Sequence, residues 1–331
     1  MPLRSTGAFL SLLASCAIAL SVGPAAAQSV WKPSRHVEIV AQSAAGGGTD
    51  LTARLIQKVL QETRLLDAPV SVSNKPGGGG NIALAYLAQR PADGYCVEVA
   101  TALLLSNHIT GKSAYTFTDF TAIAQLNSEY VAFGVKADSP IANGKDLVAR
   151  LRSDVQSLSI AVGTSLGGAN HVAAALVARA AGGDIRKIRT VVFKSSAESA
   201  AALLGGHIDV VASSASLLVP HLKSGAVRLI AMSAPHRGQG VLATVPTWKE
   251  QGFDIVSDNF RGLIGPAGMP PPQVAYWDDA LAKLVRTEAW KKDLEANLWE
   301  DNYMSSRESL KYFTAQYEDA RRVLSDLGLT R

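Results

Sequence analysis

The sequence has little cysteine, and what it has cannot pair within the mature chain. Of its two cysteines, Cys16 lies in an apolar leader and Cys96 in the strand-like run Tyr-Cys-Val-Glu-Val-Ala-Thr. Removing the leader leaves Cys96 alone, which excludes an intrachain disulfide. A chain of this size can be held by its core instead, and Cys96 reads as a buried, inert thiol. Histidine is also sparse. His36, His108, His207, His221 and His236 are scattered with no metal-ligand spacing, so a zinc site is not expected. No glycine run is followed by Lys-Ser/Thr, and none has the spacing of a dinucleotide fingerprint, which excludes the common nucleotide-binding loops. Lysine and arginine are dispersed without interleaved aromatics. The net charge of +4 and pI near 9.0 therefore point to small anions and not to nucleic acid. Past the leader no run is long and apolar enough to span a membrane, and no internal repeat is present.

The leader is a secretory signal. Arg4 precedes an apolar run from Ala8 to Val22, and Pro24-Ala25-Ala26-Ala27 ends it with small residues, so cleavage is expected after Ala27. Leu13-Ala14-Ser15-Cys16 resembles a lipoprotein-processing box. The apolar run continues past Cys16 to the later site, which favours a soluble secreted chain.

The mature chain then alternates strand and helix patterns, the signature of a parallel sheet with crossover helices. An apolar run, His36–Ala41, leads through Gln42-Ser43-Ala44-Ala45 into Gly46-Gly47-Gly48-Thr49-Asp50. A helical face of Leu51, Leu55, Val59 and Leu60 follows. A strand, a glycine turn and a helix start leave unpaired amides at the positive end of a helix dipole, a setting suited to an anion. The pattern repeats in mid-chain: Leu158–Val162 reads as a strand, Gly163–Gly168 as a turn, and Ala169–Ala180 as a helix closed by Gly182-Gly183. Gly77–Gly80 reads as a turn with no function of its own, and Asn81 as a helix cap. Asp254–Asp258 and Leu263–Ile264 read as separate extended pieces. Ser305 and Glu308 form a capping box for a last helix with the face Leu310, Phe313, Tyr317, Ala320 and Leu324.

Gly163-Thr164-Ser165-Leu166-Gly167 is literally G-x-S-x-G between a strand and a helix, the context of a nucleophile elbow. With Asp209 and His221 or His236 downstream, a secreted serine esterase is an alternative reading. No HGGG-type segment precedes Ser165, and His171 sits where it would cap a helix or bind an anion. Arg261, in Asp-Asn-Phe-Arg-Gly, is either a surface arginine or a guanidinium that grips a carboxylate with two hydrogen bonds.

Taken together, several stretches carry a resemblance. They are GGGTD at 46–50, the Asn74–Asn81 turn, ADGY at 92–95, DFT at 119–121, LGGANH at 166–171, LLGGHIDV at 203–210, VPTWKEQGFD at 245–254 and the run from Gly265 to Trp277. Their order and spacing resemble the extracytoplasmic solute-binding proteins of tripartite tricarboxylate transporters, the Bug family, over nearly all the mature chain. The resemblance implies a non-enzymatic, two-lobed α/β periplasmic binding protein of type II-like fold, each lobe a mixed sheet with flanking helices and the ligand cleft between them. It implies a signal peptide over 1–27, one lobe from 28–127 and 253–331, and a second from 128–252. Residue by residue it implicates Gly47, Gly48, Thr49 and Asp50 in the first lobe, and Ser165, Gly167, Gly168 and Asn170 in the second. Thr101, Lys194 and Ser213 are rim candidates, and Arg261 joins them as a carboxylate grip.

The chain departs from the family in two places. An aromatic and proline-rich approach to the first glycines is replaced by Gln42–Ala45, and the Phe-Asp after the VDV-type strand by Ala212-Ser213. The lost acid argues against amino acids. Asn-His at 170–171 and Asn-Phe-Arg-Gly at 259–262 resemble the tricarboxylate-binding branch. The expected role is thus capture of citrate or a related di- or tricarboxylate by a periplasmic monomer and its delivery to membrane subunits of the transporter, without cofactor or metal. A sensor presenting ligand to a signalling receptor is the alternative among binding proteins.

Overall fold

Short β-rich runs alternate with amphipathic stretches, and each helix packs its apolar stripe on the sheet that the strands build. The computed structural model describes residues 31–162, 166–193 and 196–331. The leader with Cys16, together with Ser165 and Lys194, lies outside the described residues. The strands are β1 (Val37–Ala41), β2 (Val70–Asn74), β3 (Cys96–Thr101), β4 (Thr121–Lys136), β5 (Ile160–Ala161), β6 (Thr190–Val191), β7 (Val210–Ser214), β8 (Val227–Met232), β9 (Asp258–Gly265) and β10 (Glu300–Met304). The longer helices are α1 (Gly48–Glu62), α2 (Asn81–Ala88), α3 (Leu103–Ile109), α4 (Gly144–Ser153), α5 (Ala169–Ala180), α6 (Ser196–Leu204), α7 (Ala215–Lys223), α8 (Pro271–Leu284), α9 (Glu288–Asn297) and α10 (Ser306–Asp326).

The strand order is β2-β1-β3-β9-β4-β7-β5-β6, with β8 and β10 also paired to β4. β4 is the spine. Its first half pairs antiparallel with β9 and β10, and its second half with β7 and β8. Parallel pairs, β1 with β2 and β3 and β5 with β6 and β7, flank it on either side. The mixed α/β sheet with flanking helices agrees with the expected fold class. Of the two extended pieces expected around residue 260, Leu263–Ile264 falls inside β9, whereas the first overlaps β9 only at Asp258 and residues 254–257 precede the strand without regular structure. The sequence pattern misses α3 and β10, which are short and lack a clear period.

Burial follows the same division. β1 is buried on both faces, as parallel strands covered by helices are. From α1, Leu55, Ile56, Val59 and Leu60 go under, each contributing about 1.5–3 kcal/mol of hydrophobic stabilisation. Leu51, expected on that face, is 41% exposed instead. α10 starts with the expected capping box between Ser305 and Glu308. It packs on two clusters: Phe313 joins the core around Phe117, Phe120 and Phe260, while Val323, Leu324 and Leu327 join the core built on β4, α4 and α5. The expected ranges put all of 253–331 with the first lobe, yet this helix is buttressed by both halves. Among the described residues, no helix is long and apolar enough to cross a membrane.

Candidate functional site

The C-terminal ends of β1 and β5 each feed a helix start, and β3 ends beside them. In sheets of this kind ligands gather beyond such ends. A cavity of about 280 Å³ lies there. Gly48, Thr49, Thr101, Gly168, Asn170 and Arg261 all line it, so the structure brings half of the expected site residues into one hollow. A larger hollow of about 1060 Å³ runs along α10 and α5, bordered by Arg179, Asp319, Arg322 and Asp326. It holds charges of both signs and only the edge of one glycine turn, so the smaller cavity is the candidate site.

The first corner is knotted by Ser43 and Asp50. Ser43 Oγ accepts from Thr49 Oγ1 at 2.8 Å and from the Asp50 amide at 3.2 Å. Asp50 is 1% exposed, and its carboxylate accepts from the Gly46 amide, Asn74 Nδ2 and Arg54 Nε. Burial pushes its pKa up, but the bonds from Arg54, Gly46 and Asn74 outweigh burial and hold it below the usual range. Asp50 therefore fastens the loop and does not line the cavity, and Gly47 serves as the helix N-cap behind it. The Gly48 and Thr49 amides have no hydrogen-bond partner among the described residues, as expected of the first helical turn.

The second corner is capped by a histidine. The Gly167 amide donates to His171 Nδ1 at 3.0 Å. Burial first, then Lys112, pushes the His171 pKa down to about 4, so the ring is neutral and its proton sits on Nε2. Gly167, at φ +84°, turns the chain into α5 and borders the larger hollow. Gly168, Ala169 and Asn170 face the candidate cavity.

Arg261 crosses between the corners. In the sheet it stands opposite Thr101 on β3 and Asn127 on β4. Its Nη2 donates to Glu129 Oε2 at 2.7 Å, with side chains 6% and 3% exposed. Its guanidinium carbon lies 4.8 Å from the Trp299 ring centroid. Nε and Nη1 are buried without partners among the described residues. Glu129 also accepts from Ser216 Oγ on α7. Neither expected alternative for Arg261 describes it fully: it is a buried, paired cation at the edge of the cavity. Among the described residues Arg261 is the only charged one in the lining, and Glu129 pairs with it, so among them the attraction for an anion comes chiefly from the two helix starts.

Other expectations place differently. Ser213 lies in β7 opposite Ala132, fully buried and away from the cavity. Asn81 does not cap α2: Gly80 is the N-cap, and Asn81 Nδ2 donates to the Lys112 carbonyl. Of the proposed esterase partners, Asp209 accepts from the Ser159 amide and hydroxyl, and His236 pairs with Glu300. Cys96 is buried beside Glu38, and its thiol is pushed up to about 12, first by burial.

Sequence reasoning missed Gln42, Gly77, Gly79, Gly80 and Asn259, which also line the cavity, and Glu129 behind Arg261. The turn at 77–80 was readable in principle, because it follows β2 on the same edge as the first glycine turn. Glu129 had a signal too: a lone carboxylate inside an apolar strand needs a cationic partner.

A family model described as the tripartite tricarboxylate transporter family receptor, TctC, matches residues 52–329. A TctC solute-binding protein from Polaromonas, solved without ligand, is 28% identical at a TM-score of 0.76 and covers 89% of this chain and 99% of that one. A Rhodopseudomonas palustris protein solved with adipate is 24% identical at a TM-score of 0.77, covering 90% and 99%. MatC from the same organism, with bound malate, is 24% identical at a TM-score of 0.69, covering 90% and 100%.

Proposed function

The chain belongs to the tripartite tricarboxylate transporter receptor family, whose members are solute-binding receptors and not enzymes, and from that premise we propose that it captures citrate or a related di- or tricarboxylate in the periplasm and delivers it to the transporter's membrane subunits. The observation that carries the reading is the pairing of two helix starts, α1 and α5, across one small cavity edged by Arg261. The amides of Gly48 and Thr49 hold one carboxylate, and those around Gly168 and Asn170 hold another part of the anion. The structural relatives with adipate and malate support small carboxylates as the ligand class. The leader over 1–27 is the export signal in this reading.

In this reading residues 28–127 and 253–331 make one lobe and 128–252 the second. Closure follows from differential contact: an anion touching both helix starts stabilises the closed arrangement over the open one. The test is calorimetry of the mature protein, residues 28–331, against mono-, di- and tricarboxylates. Saturable binding of di- or tricarboxylates with micromolar or better affinity is expected, weakened at least tenfold by Gly48→Ala or Asn170→Ala. Failure of every carboxylate to bind a folded protein would refute the proposal.

A further inference from the structure

Gln42 opens the stretch Gln42–Ala45, which replaces the aromatic and proline-rich approach that the family resemblance leads one to expect, and its side chain is fixed in place. Its Nε2 donates to Thr101 Oγ1 at 3.0 Å and lies 3.4 Å from the Val99 carbonyl. The carbonyl cannot donate, which sets the orientation of the amide and leaves Oε1 as the free end. Oε1 is laid over Gly80. A Cβ there would lie 2.0 Å from it, and Gly80 adopts φ +98°. No hydrogen bond is made to this oxygen among the described residues, and Gln42 lines the cavity.

Thr101 supplies the complementary atom. Its Oγ1 accepts from both Gln42 Nε2 and the Leu103 amide, at 3.0 and 3.3 Å. With both lone pairs engaged, its proton is left to donate. Gln42 and Thr101, joined by their own hydrogen bond, thus bring one acceptor and one donor to the same cavity. A hydroxyl satisfies both at once, giving its proton to Gln42 and accepting from Thr101. An ammonium could use only the acceptor, and the nearby carboxylate of Glu129 is spent on Arg261. An unsubstituted methylene would leave both atoms desolvated and unpaired.

Resting on the carboxylate-binding reading above, we infer that Gln42 and Thr101 select a hydroxylated carboxylate over its deoxy and amino counterparts. The test is calorimetry of the mature protein with matched pairs: malate against succinate, citrate against tricarballylate, and malate against aspartate. The native protein is expected to favour the hydroxylated member by about 10- to 100-fold, and Gln42→Met to shrink that ratio to within about threefold. Equal affinity within the native pairs, with binding intact, overturns the inference and leaves carboxylate capture standing. So does tighter binding of aspartate, or a ratio unchanged in Gln42→Met. If no carboxylate binds, the underlying reading fails and this one with it. The native pairs decide the matter even if the variant does not fold.

Discussion

Replacing Glu129 by glutamine should make the protein less stable and bind its anion more tightly. The side chains of Glu129 and Arg261 are 3% and 6% exposed, and their charged atoms lie 2.7 Å apart. Glutamine keeps the shape but leaves the buried guanidinium without its hydrogen-bonded counter-charge, with only the more distant Asp258 carboxylate still acting on it. Breaking a buried pair from one side costs about 3–5 kcal/mol. At about 2 °C per kcal/mol for a chain of this size, the melting temperature should fall by roughly 6–10 °C. Binding moves the other way. Two unit charges about 6 Å apart interact by roughly 3 kcal/mol at an effective dielectric near 20. Half of that repulsion, once relieved, strengthens a carboxylate by about tenfold. Saturating ligand should therefore raise the melting temperature of Glu129→Gln more than that of the native protein. The double variant Glu129→Gln with Arg261→Met should recover most of the stability, to within about 1.5 kcal/mol. The assays are thermal melts with and without ligand, urea titrations of the native, single and double variants, and calorimetry. A Glu129→Gln melt within 2 °C of native, or affinity unchanged or weaker, would refute the claim that Glu129 holds the Arg261 charge in check (about 1 kcal/mol is the resolution that matters).

Three further outcomes follow from the geometry. Gly80→Ala should cost about 1–3 kcal/mol, because its φ is +98° and the new Cβ meets Gln42 Oε1; urea unfolding measures the loss, and an unchanged midpoint counts against it. Gly48→Ala places a Cβ 2.5 Å from Arg261 Nη2, the atom that bonds Glu129, so Arg261 must shift and both affinity and stability should drop, read by calorimetry beside a melt. The pH response should contain two opposed limbs. His171, with its pKa pushed down to about 4, binds fewer protons folded than unfolded between pH 4 and 6.5. Its contribution therefore rises with pH across that window, by up to about 3 kcal/mol. Asp258, buried under Tyr312 and Ser128 and pushed up to about 6, chiefly by burial, binds more protons folded between pH 3.8 and 6. Its contribution falls with pH, by about 1–2 kcal/mol after allowing for its partial exposure. Asp258→Asn should steepen the rising limb and His171→Phe should expose the falling one, as urea midpoints taken every half pH unit would show; parallel curves would exclude both assignments.

Much of the frame was legible in the residues. The glycine turns at 46–48 and 163–168 each announced a helix start after a strand, and α1 and α5 begin there. The capping box at Ser305 and Glu308 was readable because both partners lie within one turn. Failures came where a residue's role depends on distant chain. Asp50 follows the first glycines and looked ready for a ligand, yet Asn74 and Arg54 claim its carboxylate. Ser213 sits at a strand end, but pairing with β4 buries it. Gly77–Gly80 looked like a bland loop until the parallel pairing of β1 with β2 set it beside the first turn.

The sequence by itself determined the local vocabulary and the family: strands, glycine turns, helix starts and their order, because these rest on backbone freedom, capping and periodicity within a few residues. Tertiary structure alone decided what the cavity is made of. Glu129 and Arg261 are 132 residues apart, and only the register of β4 against β9 brings their charges together. Gln42 and Thr101 lie 59 residues apart, and meet because β1 and β3 are adjacent strands. Those two meetings set the charge and the hydrogen-bonding character of the site, and no short-range pattern encodes either.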